Sequence, residues 1–224
     1  MTNPKAFIFD LDGVITDTAE FHYQAWKQLA EELGIHIDRE FNEQLKGISR
    51  MDSLDRILAL DSSYQSLAAE EKEGLATKKN EHYKQLMQAI TPEHILPGIK
   101  DFLDTIKSNK IEIALASASK NAPMILEQLQ LSDYFRYIVD PAKLSNGKPD
   151  PEIFTTAADF LSVDYSECIG VEDAASGVQA INAASMFSVG VGDKEVLAAA
   201  DMVVEDTTGL DFNKIIEAFR QARN

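Results

Sequence analysis

The sequence predicts an α/β fold: a parallel sheet with helices on both faces, interrupted after its first strand by an inserted α-helical cap. Three observations carry this. Short apolar runs of strand type recur at Ala6–Phe9, Ile111–Ala116, Tyr137–Val139, Cys168–Val171, Phe187–Val191 and Met202–Val204. From Ile99 onward helical patterns separate them, and such alternation builds a parallel sheet covered on both sides. Residues 17–88 break the alternation with helical signals alone. The expected division is a core of residues 1–16 and 89–224 and a cap of residues 17–88.

In chain order, Asp17 or Thr18 can cap the first helix. Phe21, Ala25, Leu29 and Leu33 recur every fourth residue, and Gly34 supplies the stop. Asp38 can cap a short helix ending near Leu45. Ser49-Arg50-Met51-Asp52 has capping-box spacing, with Asp in place of the usual Glu, ahead of a helix through Leu54, Ile57 and Leu58. After a polar break at Asp61–Gln65, a long helix is expected from about Ser66 to Ala89. Pro97-Gly98 marks a turn before the helix Ile99–Lys107. Further helices are predicted at Ala122–Leu131, Glu152–Leu161, Ser176–Ala184 and Asp211–Arg223.

The chain has 224 residues, 45% of them apolar, enough for one core with a smaller inserted domain. Its formal charge of −16 argues against nucleic acid and anionic membrane partners. An acidic protein that handles phosphates must gather cations locally, so its loop lysines and arginines are informative. Cys168 is the only cysteine, so no intrachain disulfide forms, and its apolar run marks it as a small hydrophobe. No signal-peptide pattern and no membrane-length apolar stretch is present, and a cytoplasmic protein is expected.

The chemistry concentrates at Phe9-Asp10-Leu11-Asp12-Gly13. A strand delivers Asp10 at its carboxyl end, and residues i and i+2 of extended backbone project to one side, so Asp12 can share the same space. Two carboxylates so placed repel unless a cation or a shared proton relieves them. An ordinary Asp-Gly turn would explain the pair equally well. Glu172-Asp173, directly after another strand-like run, tips the balance towards a hard-cation site. Ligands of open α/β sheets bind outside the carboxyl ends of the strands. The loops Ser117-Ala118-Ser119-Lys120-Asn121 and Gly147-Lys148-Pro149 add hydroxyls, an amide and ammonium groups there. Serines cap helices and lysines lie solvated in loops often enough to explain each alone. Four such loops at successive strand ends suit phosphoryl transfer, where positioning and charge neutralisation dominate.

Asp10-Leu11-Asp12-Gly13-Val14, Ser117, Lys148 and Glu172-Asp173, in this order along nearly the whole chain, resemble the haloacid dehalogenase superfamily of phosphotransferases. Asp12–Glu20, Leu45–Arg50, Ala116–Asn121 and Gly190-Val191-Gly192 narrow the resemblance to its sugar-phosphate mutases. The resemblance implies a Rossmann-like core with a helical cap, and an isomerase that interconverts β-D-glucose 1-phosphate and D-glucose 6-phosphate through β-glucose 1,6-bisphosphate. Asp10 would be the nucleophile that forms an aspartyl-phosphate, and Asp12 the general acid and base. Mg2+ would be held by Asp10, the backbone carbonyl of Asp12, Glu172 and Asp173. Ser117 and Lys148 would hold the transferring phosphoryl group. Arg50, Ser119, Lys120 and Asn121 would bind the second phosphate, beside Ala118. Thr18, His22, Lys46, Gly47, Ser53 and Lys79 would contribute from the cap or its hinge. A monomer is expected.

Two other functions fit parts of this pattern. A capped sugar-phosphate phosphatase shares the Asp10 chemistry but uses water as acceptor. A phospho-receiver domain also carries an aspartate beside acids and a lysine, but an insertion of about seventy residues does not suit so compact a switch. Gly190-Val191-Gly192 lacks the third glycine of a dinucleotide fingerprint, Gly147-Lys148-Pro149 is no P-loop, and the four histidines show no zinc-ligand spacing.

Overall fold

The computed structural model describes residues 3–45 and 48–223. Two compact units divide the chain: Met1–Asp17 with Thr91–Asn224, and Thr18–Ile90.

Among the described residues, the first unit holds one parallel sheet of six strands: β1 (Ala6–Phe9), β2 (Glu112–Leu115), β3 (Tyr137–Ile138), β4 (Cys168–Glu172), β5 (Phe187–Val191) and β6 (Met202–Val204), in spatial order β3-β2-β1-β4-β5-β6. Order therefore runs outward in one direction from β1 and in the other from β4. These two strands pair with Phe9 opposite Val171. That reversal is the switch point at which α/β sheets open a crevice for ligands.

β1 is wholly buried, and its alternation splits the core. Phe7 and Phe9 face one side, where both rings meet Phe102 edge-on at 5.6 and 6.1 Å. Ala6 and Ile8 face the other, packed with Phe154, Ala157, Ala180 and Ile181. Each buried phenylalanine contributes about 1.5–3 kcal/mol through area removed from water. The helices of this unit are Ile99–Ser108, Ala122–Gln128, Glu152–Leu161, Ala175–Ala183 and Phe212–Ala222. The second of these is shorter than its apolar pattern predicts. Gln130 takes a left-handed φ of 57°, which ends the helix before Leu131.

The second unit contains α1 (Ala19–Glu32), α2 (Arg39–Glu43), α3 (Arg50–Leu58) and α4 (Ala69–Met87). Trp26, Leu29 and Ala30 of α1 pack with Leu54, Ile57 and Leu58 of α3 and Ala76 of α4. The Asp38 carboxylate accepts the Phe41 N–H at 2.8 Å and starts α2. The Ser49 hydroxyl accepts the Asp52 N–H at 3.2 Å and donates to the Asp52 carboxylate at 2.6 Å, a capping box closed through the hydroxyl. Thr18 stands at the start of α1 without a side-chain cap bond. α4 begins later than its periodicity suggests, because Glu71 reaches back to the Ala68 N–H at 2.9 Å and fixes the first turn there.

Candidate active site

Asp10 follows β1 directly, and its N–H donates to the Val171 carbonyl at 2.9 Å, so the ladder to β4 continues through it. Glu172 ends β4 and Asp173 follows it. Carboxylate oxygens of Asp10, Glu172 and Asp173 all lie within 4.8 Å of one another. Residues more than 160 positions apart meet because β1 and β4 are neighbours at the switch point.

The Lys148 ammonium lies between two of these acids, donating to Asp10 Oδ1 at 2.6 Å and to Glu172 Oε2 at 2.8 Å. The Lys148 side chain is 1% exposed, while Glu172 is 0% and Asp10 7% exposed as residues. Burial alone would lower the Lys148 pKa, but Asp10 and then Glu172 more than reverse this and hold it above the ordinary lysine value. Burial, followed by the Asp10 charge, raises Glu172 well above the ordinary glutamate range, and Lys148 pulls it back part of the way. Hard oxygen donors this close, only part-neutralised by one ammonium, fit a divalent cation.

The backbone at Asp12 departs from the extended path its spacing suggests. The chain bends after Asp10, and the N–H groups of Ile15 and Thr16 both return to the Leu11 carbonyl, at 2.8 and 3.2 Å. Asp12 then forms an isolated bridge with Thr16. The group of three close carboxylates does not include it.

Beyond β2, Ser117 is buried and its hydroxyl accepts the Ser119 N–H at 3.1 Å. The Ser119 hydroxyl in turn accepts the Asn121 N–H at 3.3 Å. These two contacts shape a tight loop, with Ala118 half-buried, Lys120 exposed and Asn121 buried at the head of the next helix.

In the second unit, His22 and Lys79 meet with Nδ1 and Nζ 2.8 Å apart. The His22 ring stacks on Tyr83 at 4.1 Å, and the ammonium lies over the Trp26 and Tyr83 rings at 4.5 and 4.8 Å. Burial first, then the Lys79 and Arg50 charges, push the His22 pKa well below the usual histidine value. A neutral imidazole accepting from Lys79 at Nδ1 follows. Trp26 and Tyr83 were not singled out by sequence. Their signal is the i, i+4 spacing to His22 and Lys79, which sets one wall residue a turn beyond each polar one. Arg50 is half-buried at the start of α3, and burial lowers its pKa. Thr18 is buried, and Ser53 is buried with its hydroxyl donating to the Ser49 carbonyl at 3.0 Å. Lys46 and Gly47 lie outside the described residues.

A family model for haloacid dehalogenase-like hydrolases matches residues 4–185, which span the Asp10, Ser117, Lys148 and Glu172-Asp173 loops. The chain belongs to the haloacid dehalogenase-like hydrolase family. Within curated members of the family, it is 48% identical to a β-phosphoglucomutase of Bacillus subtilis over 98% of this chain and 97% of that one. A crystal structure of β-phosphoglucomutase from Clostridium difficile matches with a TM-score of 0.96 and 52% identity, covering 100% of this chain and 99% of that chain. A phosphorylated carbohydrates phosphatase of Thermotoga maritima is 29% identical over 81% of this chain and 82% of its own.

Proposed function

We infer that the protein is a β-phosphoglucomutase, an isomerase that interconverts β-D-glucose 1-phosphate and D-glucose 6-phosphate. The observation that carries this is the near-full-length likeness to β-phosphoglucomutase at 48% identity, on a chain whose Asp10, Lys148, Glu172 and Asp173 converge.

In the proposed reaction an Asp10 carboxylate oxygen attacks phosphorus in line. The bond from phosphorus to the sugar oxygen breaks, and Asp12 gives that oxygen its proton. In the return step a hydroxyl of the sugar monophosphate attacks the aspartyl-phosphate, Asp12 takes the hydroxyl proton, and the Asp10 carboxylate leaves. Starting from β-D-glucose 1-phosphate, the return step at the 6-hydroxyl makes β-glucose 1,6-bisphosphate. Attack on its 1-phosphate then regenerates the aspartyl-phosphate and frees D-glucose 6-phosphate. Lys148 and Ser117 are assigned the transferring phosphoryl oxygens, and Ser119, Lys120 and Asn121 the non-reacting phosphate.

Asp10, Glu172, Asp173 and the Asp12 carbonyl would hold Mg2+, which when bound lowers the repulsion between carboxylate and phosphate. Within the second unit, the planar fork of Arg50 suits a phosphate, and Thr18, His22, Ser53 and Lys79, with Lys46 and Gly47, are assigned to sugar binding. We further infer a monomer in the cytoplasm.

The decisive experiment supplies β-D-glucose 1-phosphate, Mg2+ and a trace of the bisphosphate, and follows D-glucose 6-phosphate, with the α anomer as control. Isomerisation of the β anomer is expected. Release of inorganic phosphate without isomerisation would replace this reading with the phosphatase one, the activity named for the T. maritima relative. Arg50→Ala should impair mutase turnover far more than reaction with a small phosphoryl donor.

A further inference from the structure

Gly177 lies in the first turn of the helix Ala175–Ala183, immediately beyond the Glu172-Asp173 pair. Its backbone does not require glycine. Positive φ occurs at Gly13, Gly34, Gly98 and Gly192, and Gly177 is not among them. Alanine is the better helix former at such a position. What alanine lacks there is space: a Cβ on Gly177 would come well inside 3.0 Å of Glu172 Cγ, Cδ and Oε1. Gly74, the glycine within α4, has nothing within 4 Å of the same construction.

We propose that Gly177 is a positioning residue, whose missing side chain is the slot that holds the Glu172 carboxylate against Lys148 and beside Asp10 and Asp173. Glu172 has no exposed surface into which it could retreat. Its Oε2 accepts from Lys148 at 2.8 Å, and its Oε1 accepts the Ala174 N–H at 3.3 Å. The atoms in the way of a methyl group are side-chain atoms, so the carboxylate would shift before the helix does. A shift breaks the Lys148 contact and spoils the three-carboxylate group. Gly13 stands in the same relation to Asp173, but its φ of +72° calls for glycine by itself, so Gly177 is the position where the effect of space can be isolated.

The inference rests on the reading that these carboxylates hold a divalent cation, and a double-mutant cycle separates the two. Gly177→Ala is made in the wild-type and in the Glu172→Ala backgrounds, and Mn2+ affinity is measured by the electron-spin signal of the free ion. Gly177→Ala is expected to weaken Mn2+ binding about 10–100-fold, the scale for residues that orient metal ligands, and to add no further loss without Glu172. Gly74→Ala should leave Mn2+ affinity unchanged. An equal loss in both backgrounds, or none in either, overturns the proposal. The same cycle is read by urea unfolding of metal-free protein. If the wild type binds no Mn2+, the cation reading fails, yet coupling in urea still supports the positioning and additivity overturns it. If Gly177→Ala alone does not fold, the Glu172→Ala/Gly177→Ala double variant must fold, and its failure to do so overturns the proposal too.

Discussion

Replacing Lys148 with methionine keeps most of the volume and removes the ammonium. Asp10 and Glu172 are then left facing each other with no cation between them. Their oxygens lie within 4.8 Å, which at an effective dielectric of 20 corresponds to a repulsion of at least about 3.5 kcal/mol if both stay ionised. Breaking a buried ion pair by removing one partner costs about 3–5 kcal/mol in general, so the two routes agree. For a chain of 224 residues, about 4 kcal/mol lowers Tm by roughly 8–16 °C. The loss should grow with pH. Burial and Asp10 already raise the Glu172 pKa, and Lys148 is what pulls it back. A carboxyl whose folded pKa is raised favours the fold while protonated. Stability is then present at low pH and declines as pH rises from the unfolded value through the folded one. A divalent ion would restore the missing charge. Saturation at a hundred times Kd supplies about 2.7 kcal/mol, so Mg2+ should raise the Tm of Lys148→Met more than that of the wild type. The assay is calorimetry of both proteins at pH 6 and pH 8, with and without Mg2+. Equal Tm values without metal, or the same Mg2+ response in both, would refute the claim that Lys148 neutralises this pair.

Three further expectations follow from separate features. Because burial and its charged neighbours keep His22 neutral, the unfolded chain takes up its proton near pH 6.5 and the folded chain only well below that. The stability this group contributes is thus full well above pH 6.5 and lost as pH falls below it, and His22→Gln should remove that component of the loss between pH 7.5 and 5.5. Burial pushes the Cys168 thiol up to about 12, so a thiol reagent at pH 8 should label the native protein roughly a thousandfold slower than the guanidinium-unfolded chain. Ser49→Ala removes both contacts to Asp52 and should cost about 1 kcal/mol in urea unfolding, with Ser49→Thr, which keeps a hydroxyl, retaining most of it.

Some elements could be read from sequence to the residue, and the reason is local. β1, β5, β6 and the helix Glu152–Leu161 are apolar patterns bounded by turn or polar residues, and nothing distant needs to be known to end them. Where a boundary missed, a particular side chain or backbone angle decided it: Glu71 reaching back to Ala68, and Gln130 turning left-handed. The convergence of Asp10 with Glu172 and Asp173 was legible because strand-end loops of a parallel sheet share one edge. The bend after Asp10 follows the Asp-Gly turn reading and not the extended one, and spacing alone could not choose between them because hydrogen bonds back to the Leu11 carbonyl decide it.

The Lys148 loop was legible as one of the strand-end loops, but the pairing of its ammonium with Asp10 and Glu172 was not, and that pairing explains how so acidic a chain can hold the site. Lys148 meets Asp10 across 138 residues and Glu172 across 24, so no local pattern announces the contact. Most other ion pairs of the described residues, such as Lys78 with Glu32 or Arg39 with Glu20, are solvent-exposed and contribute little. They leave the net charge of −16 spread over the surface, where water screens it. At the switch point two buried carboxylates, Asp10 and Glu172, face one buried ammonium, with Asp173 beside them. A single lysine cannot neutralise three acids. The remaining negative charge is what suits the site to a divalent cation.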